Sequence, residues 1–134
     1  MAPWVGSPFI KLMGVTVIAR AAERSVAEVV VRDDLCNRRG VMHGGAVMAL
    51  ADIMGGMTAS AALKDGQNTA TIESKTNFLA ALPKGDTAHA ECTPLHTGRS
   101  TIVLETKITR NDGRLAAIVL QTQIVLPAKA AAAP

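Results

Sequence analysis

"NRRGVMHGGAVMALADIMGGMTASAAL" occupies residues 37–63, and its reading decides the fold. From Gly45 to about Leu63 nearly every residue is apolar or small, over a length greater than an ordinary strand, which predicts a helix. "DGQN" at 65–68 ends it. One residue breaks the pattern, since Asp52 places a carboxylate in the middle of a helix expected to be buried. With about 100° between successive residues, Gly45, Met48, Ala49, Gly55, Gly56 and Ala59 fall within about 60° of Asp52. All but Met48 are Gly or Ala. Val47, Leu50, Met54 and Met57 fall on the opposite side, where a sheet would receive them. Interior glycines cost a helix roughly 1 kcal/mol each. The Gly55–Gly56 pair therefore predicts close approach by another backbone or by a ligand. The bland alternative, a hydrogen-bonded aspartate at a solvent-facing edge, stays open at this point.

The flanks read as strands. "VTVIARAA" at 15–22 and "SVAEVVVR" at 25–32 are rich in β-branched residues. In the second, Val26, Glu28, Val30 and Arg32 share one face and Ser25, Ala27, Val29 and Val31 the other. Upstream, residues 7–12 suggest a short helix or turn. Downstream, strand-like runs cover roughly 68–80, 86–96, 100–110 and 114–126, broken by "LPKGD", "HTGRS" and "NDGR". Those breaks carry turn residues at hairpin spacing. The order of two strands, one long helix and four strands predicts an α+β domain with an antiparallel sheet against one helix.

Composition narrows the function. With 49% apolar residues but only two Phe, one Trp and no Tyr, the core has to be aliphatic. The net charge of +3 is spread along the chain, and no nucleic-acid-binding motif accompanies it. No apolar run reaches the ~18 residues of a membrane span, and the N-terminus lacks the pattern of a secretory signal. Cys36 and Cys92 have no CxxC spacing and read as two buried thiols in a reducing cytoplasm. The chain reads as one domain, residues 1–134, with a tail at 127–134 that has little to pack.

Candidate chemistry gathers at the helix. "HGG" at 43–45 precedes its first turn, where backbone N–H groups lack intrahelical acceptors and glycines let an oxygen come near. Glycines in that place also serve plain turns, and His43 alone is equally consistent with a loop histidine. No GxSxG elbow, P-loop, GxGxxG or HExxH competes. His43, His89 and His96 show no metal-ligand spacing with the cysteines.

"NRRGVMHGGAVMALADIMGG" resembles the motif of hotdog-fold acyl-CoA thioesterases of the PaaI-like (phenylacetate-pathway) branch, within the 4-hydroxybenzoyl-CoA thioesterase superfamily. In that pattern an Asn lies six residues before the His of HGG and an acidic residue nine after it, here Asn37, His43, Gly44 and Asp52. "TATIESKTNFLAALPKGD" (69–86) is similar to the strand that follows the family's helix, with Pro83 later than usual, and "HTGRSTIVLETKITRNDGRLAAIVLQTQIVL" (96–126) to its closing hairpins.

The resemblance implies a curved antiparallel sheet wrapped around one central helix. It also implies a homodimer joined edge to edge, often paired again as a tetramer, with the site between subunits. The implied substrate is an acyl-CoA, with no separate cofactor and no metal. The implied roles are specific. Gly44 N–H polarises the thioester carbonyl, and Asn37 and His43 orient the thioester or its loop. Asp52 of the other subunit acts as nucleophile or general base, and Thr71, or Thr69 on the same strand face, positions water. Burial would favour the neutral form of such an aspartate, so helix-end potential and hydrogen bonds would have to keep it ionised. Arg99, next to Gly98 in a turn, is the candidate contact for CoA phosphates. A non-catalytic acyl-CoA-binding module and a hotdog hydratase or dehydratase are the alternatives.

Overall fold

The computed structural model describes residues 6–129. Its elements are α1 (Pro8–Met13), β1 (Thr16–Ala19), β2 (Ser25–Val30), a 3-10 turn at Asp33–Leu35, α2 (Gly44–Ala61), β3 (Asn68–Phe78), β4 (Thr87–Thr97), β5 (Thr101–Thr109) and β6 (Leu115–Leu126). Six strands form one antiparallel sheet in the order β1-β2-β4-β5-β6-β3. Every expected element is present. Most of the expected tail, residues 130–134, lies outside the described residues.

Patterning explains the assembly. On β2, Ser25, Ala27 and Val29 are buried, as is Val31 just beyond its end, the face the period of two selects. Val47, Leu50, Met54 and Met57 of α2 are buried too and pack with Ala90 and Cys92 of β4 and Leu104 and Ile108 of β5. The apolar core has no aromatic side chain among its buried residues, as the composition demands, and a few polar groups are buried with it. Tight turns use glycine where the backbone is left-handed, as at Gly85 (φ 90°) and Gly113 (φ 83°) between strands.

The sheet covers one side of α2 and leaves the other open, with Met48 44% exposed. Asp52 is exposed as well, so the expected burial of its carboxylate does not hold within the single chain. Cys92 is buried, but Cys36 is only half-buried, another departure from expectation. Among the described residues no helix is long and apolar enough to cross a membrane.

Candidate active site

The loop that starts α2 is tied down from both sides. Asn37 N–H donates to Val41 O (2.8 Å), and its side-chain Oδ1 accepts from Arg39 N–H (2.9 Å), closing a turn whose Gly40 has φ 74°. Met42 N–H donates to Leu82 O (2.8 Å), and His43 N–H to Leu35 O (2.8 Å). Pro83 forms a β-bridge with Val41, so its late position is absorbed by this stitching.

His43 is the N-cap of α2. Its Nδ1 accepts from Gly45 N–H at 2.8 Å, which requires an unprotonated Nδ1. Its carbonyl accepts from Ala46 N–H (2.9 Å) and Val47 N–H (3.1 Å). Three of the first four N–H groups of the helix thus end on His43. The remaining one, Gly44 N–H, donates to nothing among the described residues. It borders a cleft of about 330 Å³ lined by Met42, Gly44, Val47, Phe78, Leu79 and Leu82, with Ala80, Ala81 and Ala116, all without polar side chains. Phe78 lies so near that a Cβ on Gly44 would stand 3.4 Å from its ring.

Asp52 lies eight residues along α2, about 12 Å from Gly44 at helical rise. Thr71 Oγ1–H donates to Asp52 Oδ1 at 2.6 Å, and Gln121 Nε2–H donates to the same oxygen at 3.2 Å. Thr71 itself accepts from Gln123 Nε2–H (2.5 Å), and Thr69 Oγ1–H reaches Gln123 Oε1 (3.1 Å) or Ile124 O (2.9 Å). Of the two threonines, Thr71 touches the carboxylate, and Thr69 stands two links behind it.

A β-bulge makes this possible. Thr71 pairs with Gln123 across the sheet, but Glu73 pairs with Thr122, so Ile72 is the extra residue. Residues an even number apart share a strand face. The skipped register instead lets Thr71 and Phe78, seven apart, both reach α2.

The two helix glycines have separate uses. A Cβ on Gly55 would fall 2.1 Å from the Gln121 amide, so Gly55 makes room for a buried side chain of the sheet rather than for a ligand or a second backbone. Gly56 meets nothing within 4 Å and stays open, as the expected stripe requires. Gly98 and Arg99 lie elsewhere. They line a second cleft, about 400 Å³, with Lys64 and Gln67 at the C-terminal end of α2. Gly98 closes the β4–β5 turn, its N–H donating to Thr101 O at 2.8 Å, and a Cβ there would meet His96 Nε2 at 2.6 Å.

The Thioesterase superfamily model matches residues 39–117, more than half of the chain. This chain belongs to the Thioesterase superfamily. A Saccharolobus solfataricus protein with the provisional esterase name SSO2140 is 34% identical over 119 residues, covering 89% of this chain and 84% of its own. Among solved structures, a variant of the Pseudomonas aeruginosa thioesterase PA1618 superposes with a TM-score of 0.84 at 27% identity, covering 89% of this chain and 86% of that one. A hypothetical thioesterase from Streptococcus pneumoniae, solved with coenzyme A, gives 0.79 at 24% identity, over 87% and 88% of the two chains. At that identity the likeness speaks for the fold. The superfamily member described here thus has the hotdog fold: one six-stranded antiparallel sheet around α2.

Proposed function

We propose that this hotdog protein is an acyl-CoA thioesterase of the PaaI-like branch, cleaving a small or medium acyl-CoA, aromatic acyl groups included, to free acid and CoA. The observation that carries the reading is the unpaired Gly44 N–H at the mouth of an apolar cleft. A helix-start N–H there is placed to stabilise charge on a thioester oxygen, while the cleft takes an uncharged acyl chain. Its size is at the small end of ligand clefts, ~300–1,000 Å³. The branch assignment rests on the spacing of Asn37, His43, Gly44 and Asp52.

Asp52 supplies the second half of the reaction. In the general-base form it takes a proton from water, whose oxygen attacks the carbonyl carbon. The C–S bond then breaks and the CoA sulfur leaves as thiolate to be protonated. In the nucleophilic form the carboxylate attacks first, the C–S bond breaks to release the CoA thiolate, which is protonated, and water then hydrolyses the resulting anhydride to free acid and the carboxylate. Either way, polariser and carboxylate must converge on one carbonyl. Within one chain they stand about 12 Å apart along the helix. A homodimer with antiparallel α2 helices would set Gly44 of one chain opposite Asp52 of the other. The open face of α2 and the exposed edge strand β3 support that reading. Arg99 and Lys64, two cations lining one cleft, are proposed to meet the CoA phosphates.

Thiol release from butyryl-, octanoyl- and phenylacetyl-CoA tests the activity and separates hydrolysis from binding or hydration. A mixing experiment tests the shared site. Asp52→Asn and Gly44→Pro, which removes the N–H, are each expected to be inactive. Co-refolded in equal amounts, about half of the dimers are mixed and each carries one intact site of two, so roughly a quarter of wild-type activity returns. Gly44→Pro must first be shown to fold and dimerise. With that established, a mixture as inactive as its parents refutes the shared site.

A further inference from the structure

Two glutamines lie in the aliphatic interior. Gln121 is 2% exposed and Gln123 1%. Burying an amide is unfavourable unless both its donor and acceptor sides are bonded. Gln123 meets that condition. Its Oε1 faces the Thr69 hydroxyl at 3.1 Å, and its Nε2–H donates to Thr71 Oγ1 at 2.5 Å. A hydroxyl has one proton to give. With an amide N–H already directed at its lone pair, Thr71 has that proton available for Asp52 Oδ1, 2.6 Å away. An amide N–H cannot accept and a carboxylate cannot donate, so the order Gln123, Thr71, Asp52 runs in one direction.

Gln121 is the converse case. Its Nε2–H reaches the same Asp52 Oδ1 at 3.2 Å, yet its buried Oε1 has no hydrogen-bond partner among the described residues. It fits there because Gly55 has no Cβ. A buried orphan acceptor, made room for by a glycine within a helix, calls for a reason beyond packing. Both recorded donors therefore converge on Oδ1, and Oδ2 accepts from none among the described residues.

We propose that Gln121 and Gln123 are positioning residues that fix Asp52 by Oδ1 and so leave Oδ2 as its reacting oxygen, Gln123 acting through Thr71. The inference rests on the thioesterase reading and names groups that the helix motif does not contain.

The test combines steady-state hydrolysis of butyryl-, octanoyl- and phenylacetyl-CoA with side-chain amide NMR. Gln123→Met keeps the volume and removes the donor. Its kcat falls about tenfold while KM holds, because Gln123 sits behind Thr71, away from substrate. In Gln123→Glu an ionised carboxyl only accepts and draws the Thr71 proton away from Asp52, whereas the protonated carboxyl donates as the amide does. The ratio of its kcat to that of wild type is therefore highest at low pH and falls as pH rises, which a packing role does not predict. Thr71→Ser retains what Thr71→Val loses. If the introduced carboxyl prevents folding, Gln123→Met and the amide signals still decide. The Gln121 signal must move in Asp52→Asn and the Gln123 signal in Thr71→Val. Unmoved signals, or Gln123→Met at wild-type kcat, overturn the positioning role while an active wild type and an inactive Asp52→Asn leave the thioesterase reading standing. A wild-type protein that cleaves no thioester refutes that reading, and this inference with it.

Discussion

The two halves of the sheet treat the same helix differently. Where β4 and β5 meet α2, Cys92, Leu104 and Ile108 face Leu50, Met54 and Met57, and the contact is mainly aliphatic, with only the hydroxyls of Thr58 and Thr106 buried in it. Where β6 and β3 meet it, Gln121, Gln123, Thr69 and Thr71 form a hydrogen-bonded chain ending on Asp52. The first half gains from burial, at roughly 25 cal/mol per Å² of apolar surface. The second holds polar groups inside or beside the core, including an orphan acceptor, which is a net disadvantage to folding. A fold can afford this where the other half supplies the stability. The contrast therefore teaches which half to perturb for rate and which for stability.

Paired substitutions should separate the halves. Asp52→Asn should lower kcat by about 10²–10⁴-fold with little change in denaturation midpoint, since the replacement is nearly isosteric and lies on an exposed site. Leu104→Ala should do the reverse. It should lose about 2–5 kcal/mol in urea unfolding, with unchanged kcat per folded protein. If Leu104→Ala altered kcat as strongly as stability, the two halves would be one coupled unit.

A finer contrast sits within the Gly55–Gly56 pair. Gly55→Ala must displace the Gln121 amide, so kcat should fall about tenfold, with an overpacking loss of about 1–3 kcal/mol. Self-association should be unchanged. Gly56→Leu has open space in the chain and gains roughly 0.8 kcal/mol of helix propensity. On the proposed dimer it should nevertheless weaken self-association, read by sedimentation. A more stable, fully associated Gly56→Leu protein would remove Gly56 from the interface.

The smallest expected effect concerns the thiols. Burial pushes the Cys92 thiol above its ordinary range, against a weaker opposing influence of the neighbouring Thr106 and Thr58 hydroxyls. Because the folded value is raised, this thiol's contribution to stability is full below the ordinary thiol range and is lost as pH rises through the raised one. At neutral pH a thiol-exchange reagent should therefore modify Cys36 readily in the native state and Cys92 only after unfolding. Equal rates at both would show that the β4–β5 half opens readily in the native state.

Much of the architecture was legible because turn chemistry and strand period agreed. Gly113 marks the β5–β6 hairpin and β2 buries the face its alternation selects, whereas the turn at Gly85, expected to close a hairpin, joins β3 to β4, which lie apart in the sheet. The resemblance pointed to Asp52 and Thr71, which the structure brings within hydrogen-bond distance of one another, and to Gly44 at the helix start. Gln121 and Gln123 were not read, because alternation in "LQTQIVL" invites the opposite facing. Leu120 is 38% exposed while both glutamines are buried. A one-residue bulge at Ile72 is equally hidden, since it changes register without changing composition. The internal partner of Gly55 belongs to a strand 66 positions away, beyond anything helical spacing encodes.

The edge strand β3 has a consequence for the newly made chain. Its 11 residues pair with β6 on one side only, which leaves a row of backbone groups able to template another strand. Released from the ribosome at low concentration, each chain carries this sticky border until something covers it. The composition of "NTATIESKTNF" moderates the danger: Glu73 and Lys75 interrupt it with charge, and Thr, Ser and Asn keep its hydrophobicity low. A long border open to selective pairing yet guarded against indiscriminate fibril growth is what a protein needs if its own copy is the intended neighbour.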